Sequence, residues 1–362
     1  NRVIIQGLKQ NGVQVKECHV DLWEARVEKL RGLRDLKYTL RLIPRFILAY
    51  LALVINFFKL GRYDVMIVGY AGHLDIFLAK ILNYFHRQPL IFDAFLSLYD
   101  TAVNEFKVVR HGSLKARMIW LMERYSCLIS DIVLLDTHAH IKYFVEKFNL
   151  PYEKFVCVPV GQDNEIFKPL EVKKETGNFN VLFFGNYTPL HGAEYIIQAA
   201  KQLEPYEDIH FTLIGNSPVY DKVYNLAKEI SLKNTAFIKD WLPYKVLREY
   251  IATADICLGI FGITEKARKV VPCKIYDCLA MAKPVITSDS SAVREVLTDQ
   301  ENIILCAAGN AESIAQAIIL LRDNPGLRDK IAHQGYQLFC HKFIPKHIAE
   351  ELISAIRERI KR

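Results

Sequence analysis

Between Phe261 and Leu297, the cations Lys266, Arg268, Lys269 and Lys274 stand ahead of Asp277. Pro272 has the marks of a first-turn helix residue, because its ring presets φ and its missing N–H is one that a helix start leaves unpaired anyway. The spacing predicts a short helix over 272–281, which puts Lys274 and Asp277, three residues apart, on one face. A helix N-terminus ringed by cations is an anion site, since free backbone N–H groups and the helix dipole both face the ligand. An acid one turn further in takes sugar or ribose hydroxyls. The same composition also describes a solvated basic loop ahead of an ordinary helix, and composition alone leaves both readings standing.

The elements that must position these residues follow from length and pattern. A chain of 362 residues exceeds a usual single core, so two domains are expected. Apolar residues make up 51% and charged residues 24%, a globular balance. The net charge of +7 suits an anionic ligand or a membrane surface and does not point to nucleic acid in particular. The eight cysteines are scattered without a C-x-x-C pair, which predicts reduced thiols rather than a disulfide or zinc framework. No stretch reads as a signal peptide, and no metal cluster is expected.

In the first half, residues 1–11 have a helical pattern closed by Gly12, and Val13-Gln14-Val15 reads as a strand. A doubly wound domain should begin with a strand and a Gly-rich turn. Neither precedes the first helix, so a first strand and its loop are expected to lie outside this sequence. Residues 29–60 join Arg31, Arg34, Lys37, Arg41 and Arg45 to an apolar run, Phe46 to Phe58. Thirteen apolar residues are short of the roughly 20 a membrane span needs. The run is read either as a buried helix or as a helix lying in a membrane interface with its cations on phosphate headgroups; the second is preferred. Strands are expected at 63–68, 89–92 and 131–135, and a helix at 113–128. After the first strand come Gly72 and His73, placed where α/β folds put ligands; His73 either acts on an acceptor hydroxyl or serves the loop. Asp93 follows the second strand, at the head of a 93–101 loop that includes Asp100; it is a loop cap or, as the resemblance described below implies, the general base of an acceptor loop. Thr137 follows the third strand. His138 and His140, two apart, do not share a helix face and predict no metal pair.

In the second half, 170–179 is a polar linker and a strand opens at Asn180. The turn Gly185-Asn186-Tyr187-Thr188-Pro189-Leu190-His191-Gly192 leads into a helix. Another strand, 209–214, ends at Gly215-Asn216. Further strands are expected at 234–238, 255–260, 285–287 and 302–305, with helices between and after them. This alternation is the parallel-sheet signature.

Pro272-x-Lys274-x-x-Asp277 followed by C-L-A-M-A-K-P-V-I (278–286) resembles the donor-site signature of family 4 glycosyltransferases, retaining enzymes of the GT-B fold. Residues 156–169 resemble that family's interdomain crossover, V-P-x-G-x-D-x-x-x-F-x-P. Asp277 falls where the family carries the second Glu of its E-x7-E motif, and Glu295 on a later family acid. The sequence departs from the pattern in having Asp rather than Glu at 277, Lys269 where the first Glu would stand, and Ala282 for a common Gly. At 185–192 the family form holds the donor diphosphate with two cations; Asn186 and His191 replace them here, and the 266–274 cations are expected to compensate.

The resemblance implies an α/β chain with two Rossmann-like domains facing a cleft: 1–165, a linker at 166–179, 180–343, and a helix at 344–362 crossing back to the first domain. It implies transfer of a sugar from a nucleoside-diphosphate sugar, with no bound cofactor and no metal. Donor binding is then expected from Gly185, Asn186, His191, Gly192, Gly215, Asn216, Lys266, Arg268 and Glu295. Catalytic roles fall to Asp93, Lys274 and Asp277, and the acceptor side to Gly72, His73, Asp100 and Thr137. A carbohydrate or lipid-linked acceptor, peripheral membrane contact through 29–60 and a cytoplasmic position at the inner face of the membrane complete the expectation. The alternatives are an inactive scaffold of the same fold, a nucleotide-sugar epimerase, and a plain Rossmann oxidoreductase, which the absence of G-x-G-x-x-G disfavours.

Overall fold

The computed structural model describes residues 1–20, 36–172, 177–217 and 219–360, with only the backbone for 36–42 and 360. In the first half these residues form α1 (Arg2–Gln10), α2 (Leu36–Leu60), β1 (Met66–Val68), α3 (Asp75–Asn83), β2 (Leu90–Asp93), α4 (Leu114–Ile129), β3 (Ile132–Leu135), α5 (His138–Phe148) and β4 (Phe155–Cys157). In the second half they form β5 (Phe179–Phe184), α6 (Ala193–Gln202), β6 (Ile209–Ile214), α7 (Tyr220–Glu229), β7 (Thr235–Ile238), α8 (Tyr244–Thr253), β8 (Ile256–Leu258), α9 (Cys273–Ala280), β9 (Val285–Ser288) and α10 (Ser291–Val296). There follow β10 (Ile304–Cys306), α11 (Ala311–Asp323), α12 (Pro325–Leu338) and α13 (Pro345–Ile360).

All named strands pair in parallel, in two sheets ordered β1-β2-β3-β4 and β10-β9-β8-β5-β6-β7. Alternation along β2 and β3 divides the first sheet's side chains between two cores. Leu90, Phe92, Val133 and Leu135 pack under α3, α4 and α5, through Ile76, Ala116, Cys127 and Phe144. Ile91, Ile132 and Leu134 pack on the other face against Ile348, Leu352 and Ile356 of α13, joined by Val3 and Ile4 of α1. The chain thus leaves the first sheet at β4 and returns to it through α13. At the crossing, Gln162 N donates to Phe343 O at 3.1 Å.

Two expectations change. Residues 13–15 form no strand: they have no sheet neighbour, and Val13 N donates instead to Leu8 O at the end of α1. The 29–60 stretch is no thirteen-residue segment and no core helix: α2 runs through Pro44 for 25 residues, and only 11% of its 43–60 window is buried. That window is long and apolar enough to cross a membrane by length and composition. Residues 29–35 lie outside the described residues.

Candidate functional site

In the second sheet, β6 and β8 flank β5, and the chain runs outward from β5 on both sides. The crevice beyond the carboxyl ends of β5 and β8 is therefore a topological switch point, where open α/β sheets bind ligands. Gly185, at the end of β5, has φ +138, and Gly215, at the end of β6, has φ +144. A Cβ on Gly215 would stand 1.9 Å from Gly185 O, so the two turns lie backbone on backbone and only glycine fits. Asn186 and Asn216 follow directly in these turns.

Lys274, in the first turn of α9, points into this crevice. Its ammonium lies 3.4 Å from Gly259 O and 3.7 Å from the centroid of the Phe183 ring. It would lie 3.2 Å from a Cβ on Gly185. Burial lowers its pKa from 10.5 to about 7, against the pull of Asp277. His191 is beside it: its Nε2 would be 3.6 Å from the same Cβ. Its Nδ1 lies 2.8 Å from Thr188 Oγ1 and accepts from Thr188 N, which leaves the proton on Nε2. Burial and then Lys274 hold the imidazole neutral, its pKa well below the ordinary value. A neutral donor and a poised ammonium thus face one glycine turn. Gly192 (φ +60) seats the loop against Gly262, whose N–H donates to Leu190 O.

Asp277 is on the same helix and buried. Burial raises its pKa from 3.8 to about 7, while Gln162, which donates to Oδ1 from across the crossover, and Lys274 oppose the rise. The remaining cations go elsewhere. Lys266 Nζ donates to Thr101 Oγ1 at 2.9 Å, and Lys269 Nζ lies 3.1 Å from Asp100 Oδ2, both in the first domain. Arg268 is exposed, and its carbonyl accepts from Ser291 Oγ. The expectation that the 266–274 cations stand in for the missing diphosphate pair is corrected in part: Lys274 lies in the crevice, while Lys266 and Lys269 are engaged by Thr101 and Asp100 of the first domain. Glu295 likewise leaves the crevice: its carboxylate accepts from His138 N and Ala139 N, both at 2.7 Å, at the start of α5.

On the first domain's side, Asp93 ends β2, opposite Leu134 in register. Burial raises its carboxyl to about 6, and Asp136 adds to the rise. His73 is buried with its ring edge-on to Phe92 at 5.2 Å; Nε2 has no hydrogen-bond partner and lies 3.7 Å from Glu123 Oε1. Gly72 shapes the turn ahead of it, donating to Gly69 O. Thr137 caps α5 by accepting from His140 N, and donates to Lys269 O at 2.5 Å. Asp136 binds His140 Nδ1 at 2.8 Å.

Three residues of the arrangement escaped sequence reasoning. Glu123, fully buried in α4, accepts from Ser97 Oγ, Leu98 N and Tyr99 N and so pins the 97–105 loop. Glu105 accepts from Leu190 N at 2.8 Å, and Gln162 reaches Asp277. Only Glu123 left a signal: the helical period puts it on the buried face with Ala116 and Cys127. Among the described residues, no group of three or more His, Cys, Asp or Glu is arranged to hold a metal.

Residues 163–338 match the family model described as glycosyl transferases group 1. An uncharacterized glycosyltransferase of Methanocaldococcus jannaschii is 25% identical over 59% of this chain and 62% of its own length. The alpha-D-kanosaminyltransferase of Streptomyces kanamyceticus is 23% identical over 49% of this chain and 45% of its own. The chain thus spans less than two thirds of these curated relatives. A sucrose-phosphate synthase from Thermosynechococcus elongatus superposes with a TM-score of 0.70 at 16% identity, covering 94% of this chain and 81% of that one. The Anabaena HepE structure in complex with UDP and glucose superposes with a TM-score of 0.67 at 14% identity, over 97% and 88%. The fold is GT-B, and it is the glycosyl transferases group 1 family that the second domain of this chain matches.

Proposed function

We propose that this chain is a retaining glycosyltransferase of the family 4 type, moving a sugar from a nucleoside-diphosphate sugar to a carbohydrate or lipid-linked acceptor. The observation that carries the reading is the Lys274 ammonium, buried at the switch point between Gly185 and Gly259. A buried cation with one long carbonyl contact and an aromatic face is short of anionic partners, and a diphosphate supplies them. As the C1–O bond to the diphosphate breaks, its electron pair goes to the leaving phosphate oxygen, where Lys274, the Nε2–H of His191 and the N-terminal N–H groups of α9 meet the charge. The acceptor oxygen bonds to C1 on the same face, and its proton passes to Asp93 or to the leaving phosphate. Asp277 takes a donor hydroxyl. The matches to glycosyltransferases and the HepE complex with UDP and glucose support this reading.

The same reading places the chain against the inner face of the cytoplasmic membrane, in peripheral contact through α2. Residues 36–63 include no acid and carry Lys37, Arg41, Arg45, Lys59 and Arg62. Ile47, Leu48, Leu51, Ile55 and Phe58 are exposed along α2. Phe58 continues onto Phe85 after α3, their rings 6.3 Å apart, and Ile81, Tyr84 and Phe85 are exposed there too. Apolar side chains among cations fit an anionic lipid surface.

The test is thermal stability against a panel of nucleoside diphosphates and their sugars. A ligand at 100 times its Kd stabilises by about 2.7 kcal/mol. A shift with one base that is lost in Lys274→Ala supports the donor seat and identifies the nucleotide. No shift with any of them favours the inactive-scaffold reading, to which Asn186, His191 and Lys269 lend weight.

A further inference from the structure

Lys269 stands where the resembled signature carries an acid, and its charge faces the other domain. Lys269 and Asp100 meet at 3.1 Å with side chains 8% and 2% exposed, and the Lys269 ammonium sits 3.2 Å from the Tyr143 ring centroid. Asp100 opens a π-helical turn, Asp100–Glu105, in the loop that Glu123 pins to α4. Further partners cross the same boundary. Lys266 reaches Thr101, Leu190 N reaches Glu105, and Thr137 reaches Lys269 O. Glu295 holds the two N–H groups at the start of α5. The first domain supplies two acids and a helix N-terminus; the second supplies two lysines and an acid.

We propose that Lys269 and Asp100 are a positioning pair: they clasp the 97–105 loop to the second domain and so set the spacing across the cleft. A buried ion pair adds little net stability, because desolvation offsets its attraction, but it selects one geometry strongly. Any other domain spacing takes Asp100 from Lys269 and leaves the ammonium only Glu265 of its own domain, a more distant partner at 3.6 Å with an exposed side chain. A surface pair would not discriminate in this way. The flanking contacts act in the same sense. Glu295 places a carboxylate on the positive end of α5, and Lys266 and Glu105 hold both ends of the turn that Asp100 begins. The Lys269–Asp100 pair itself touches neither Gly185 nor Lys274, and of the flanking contacts Glu105 to Leu190 N reaches the 185–192 turn, so the pair is the part of the clasp that acts on the domain spacing apart from the donor seat.

The catalytic half of this inference rests on the glycosyl-transfer reading; the geometric half does not. The test uses the full chain with Lys269→Asp, Asp100→Lys and the exchanged pair. Small-angle X-ray scattering should give a larger radius of gyration for each single variant and recovery in the exchange. Transfer kcat should fall about tenfold or more in the singles and recover with it, while UDP or GDP, whichever the parent binds, keeps its Kd by calorimetry. Unchanged scattering in folded single variants, or an exchange that folds without recovering the parent profile, overturns the clasp. Should the buried variants not fold, Glu295→Gln and Thr101→Val must expand the particle; parent-like profiles in both overturn the proposal. A parent that binds neither nucleotide refutes the transferase reading alone, and scattering still decides the clasp.

Discussion

The ammonium of Lys274 rests 3.7 Å from the centroid of the Phe183 ring, so a residue of α9 is seated on a residue of β5 at the crevice where that sheet reverses direction. The ring restores part of the solvation that burial removes but cannot neutralise the charge. Lys274→Ala is therefore expected to weaken nucleoside-diphosphate binding and turnover by about 100-fold, the scale for removing one buried donor to a developing anion. Lys266→Ala, whose partner is Thr101, should leave nucleotide binding near the parent value. Calorimetry on the two variants checks the contrast.

Nucleotide binding should take up a proton in alkaline solution. Lys274 has its pKa lowered to about 7 by burial, so above that pH the empty seat is largely neutral. A bound diphosphate favours the ammonium and raises the pKa again, so affinity falls as pH rises from about 7 towards 10. Binding heats at pH 8.5 in two buffers of different ionisation enthalpy should show the uptake. Lys274→Arg, whose guanidinium stays charged, should show none from this position.

Asp277 gives the protein a pH-dependent stability of its own. Its folded pKa, raised to about 7, exceeds the ordinary 3.8, so the folded chain binds the extra proton. That contribution is full below about pH 4 and is lost as pH rises to 7. The melting temperature should fall over this interval, and Asp277→Asn should flatten that part of the slope.

Gly215→Ala should damage the donor seat from the backbone. The added Cβ would lie 1.9 Å from Gly185 O, at a φ of +144 that L residues rarely adopt. A destabilisation of more than about 2 kcal/mol is expected. Thermal unfolding measures it.

Ile47→Asp combined with Leu51→Asp tests the membrane face. Both residues are 55% exposed, so the fold should lose less than about 0.5 kcal/mol. Flotation with phosphatidylglycerol vesicles should drop by about tenfold. Unchanged flotation would remove α2 from any docking face.

Much of this arrangement was legible in the residues. The start of α9, which Pro272 precedes as an extended N-cap rather than opening it as a first-turn residue, the strand–helix alternation and the glycine turns at 185 and 215 are local signals, and local signals survive folding. The destinations of the cations were not legible. Lys266, Lys269 and Lys274 look alike in sequence, and what separates them is that two face the other domain while one faces the sheet. The donor role expected of Glu295 rests on the resemblance, and nothing within α10 shows that α5 begins opposite it. Residues 13–15 carried strand-forming types but no neighbour, and pairing decides a strand more than propensity does.

The crossing near Gly161 has a mechanical consequence. The chain passes between the two sheets twice, and the passes are bonded to each other by Gln162 N and Phe343 O. A Cβ on Gly161 would lie 2.4 Å from that same carbonyl, which shows how closely the strands of the bridge are laid together. Two bodies joined by a single tether can swivel and twist freely. Joined by two fastened tethers, they bend about the line through both and resist torsion, so the two halves should open and shut as a book does about its spine.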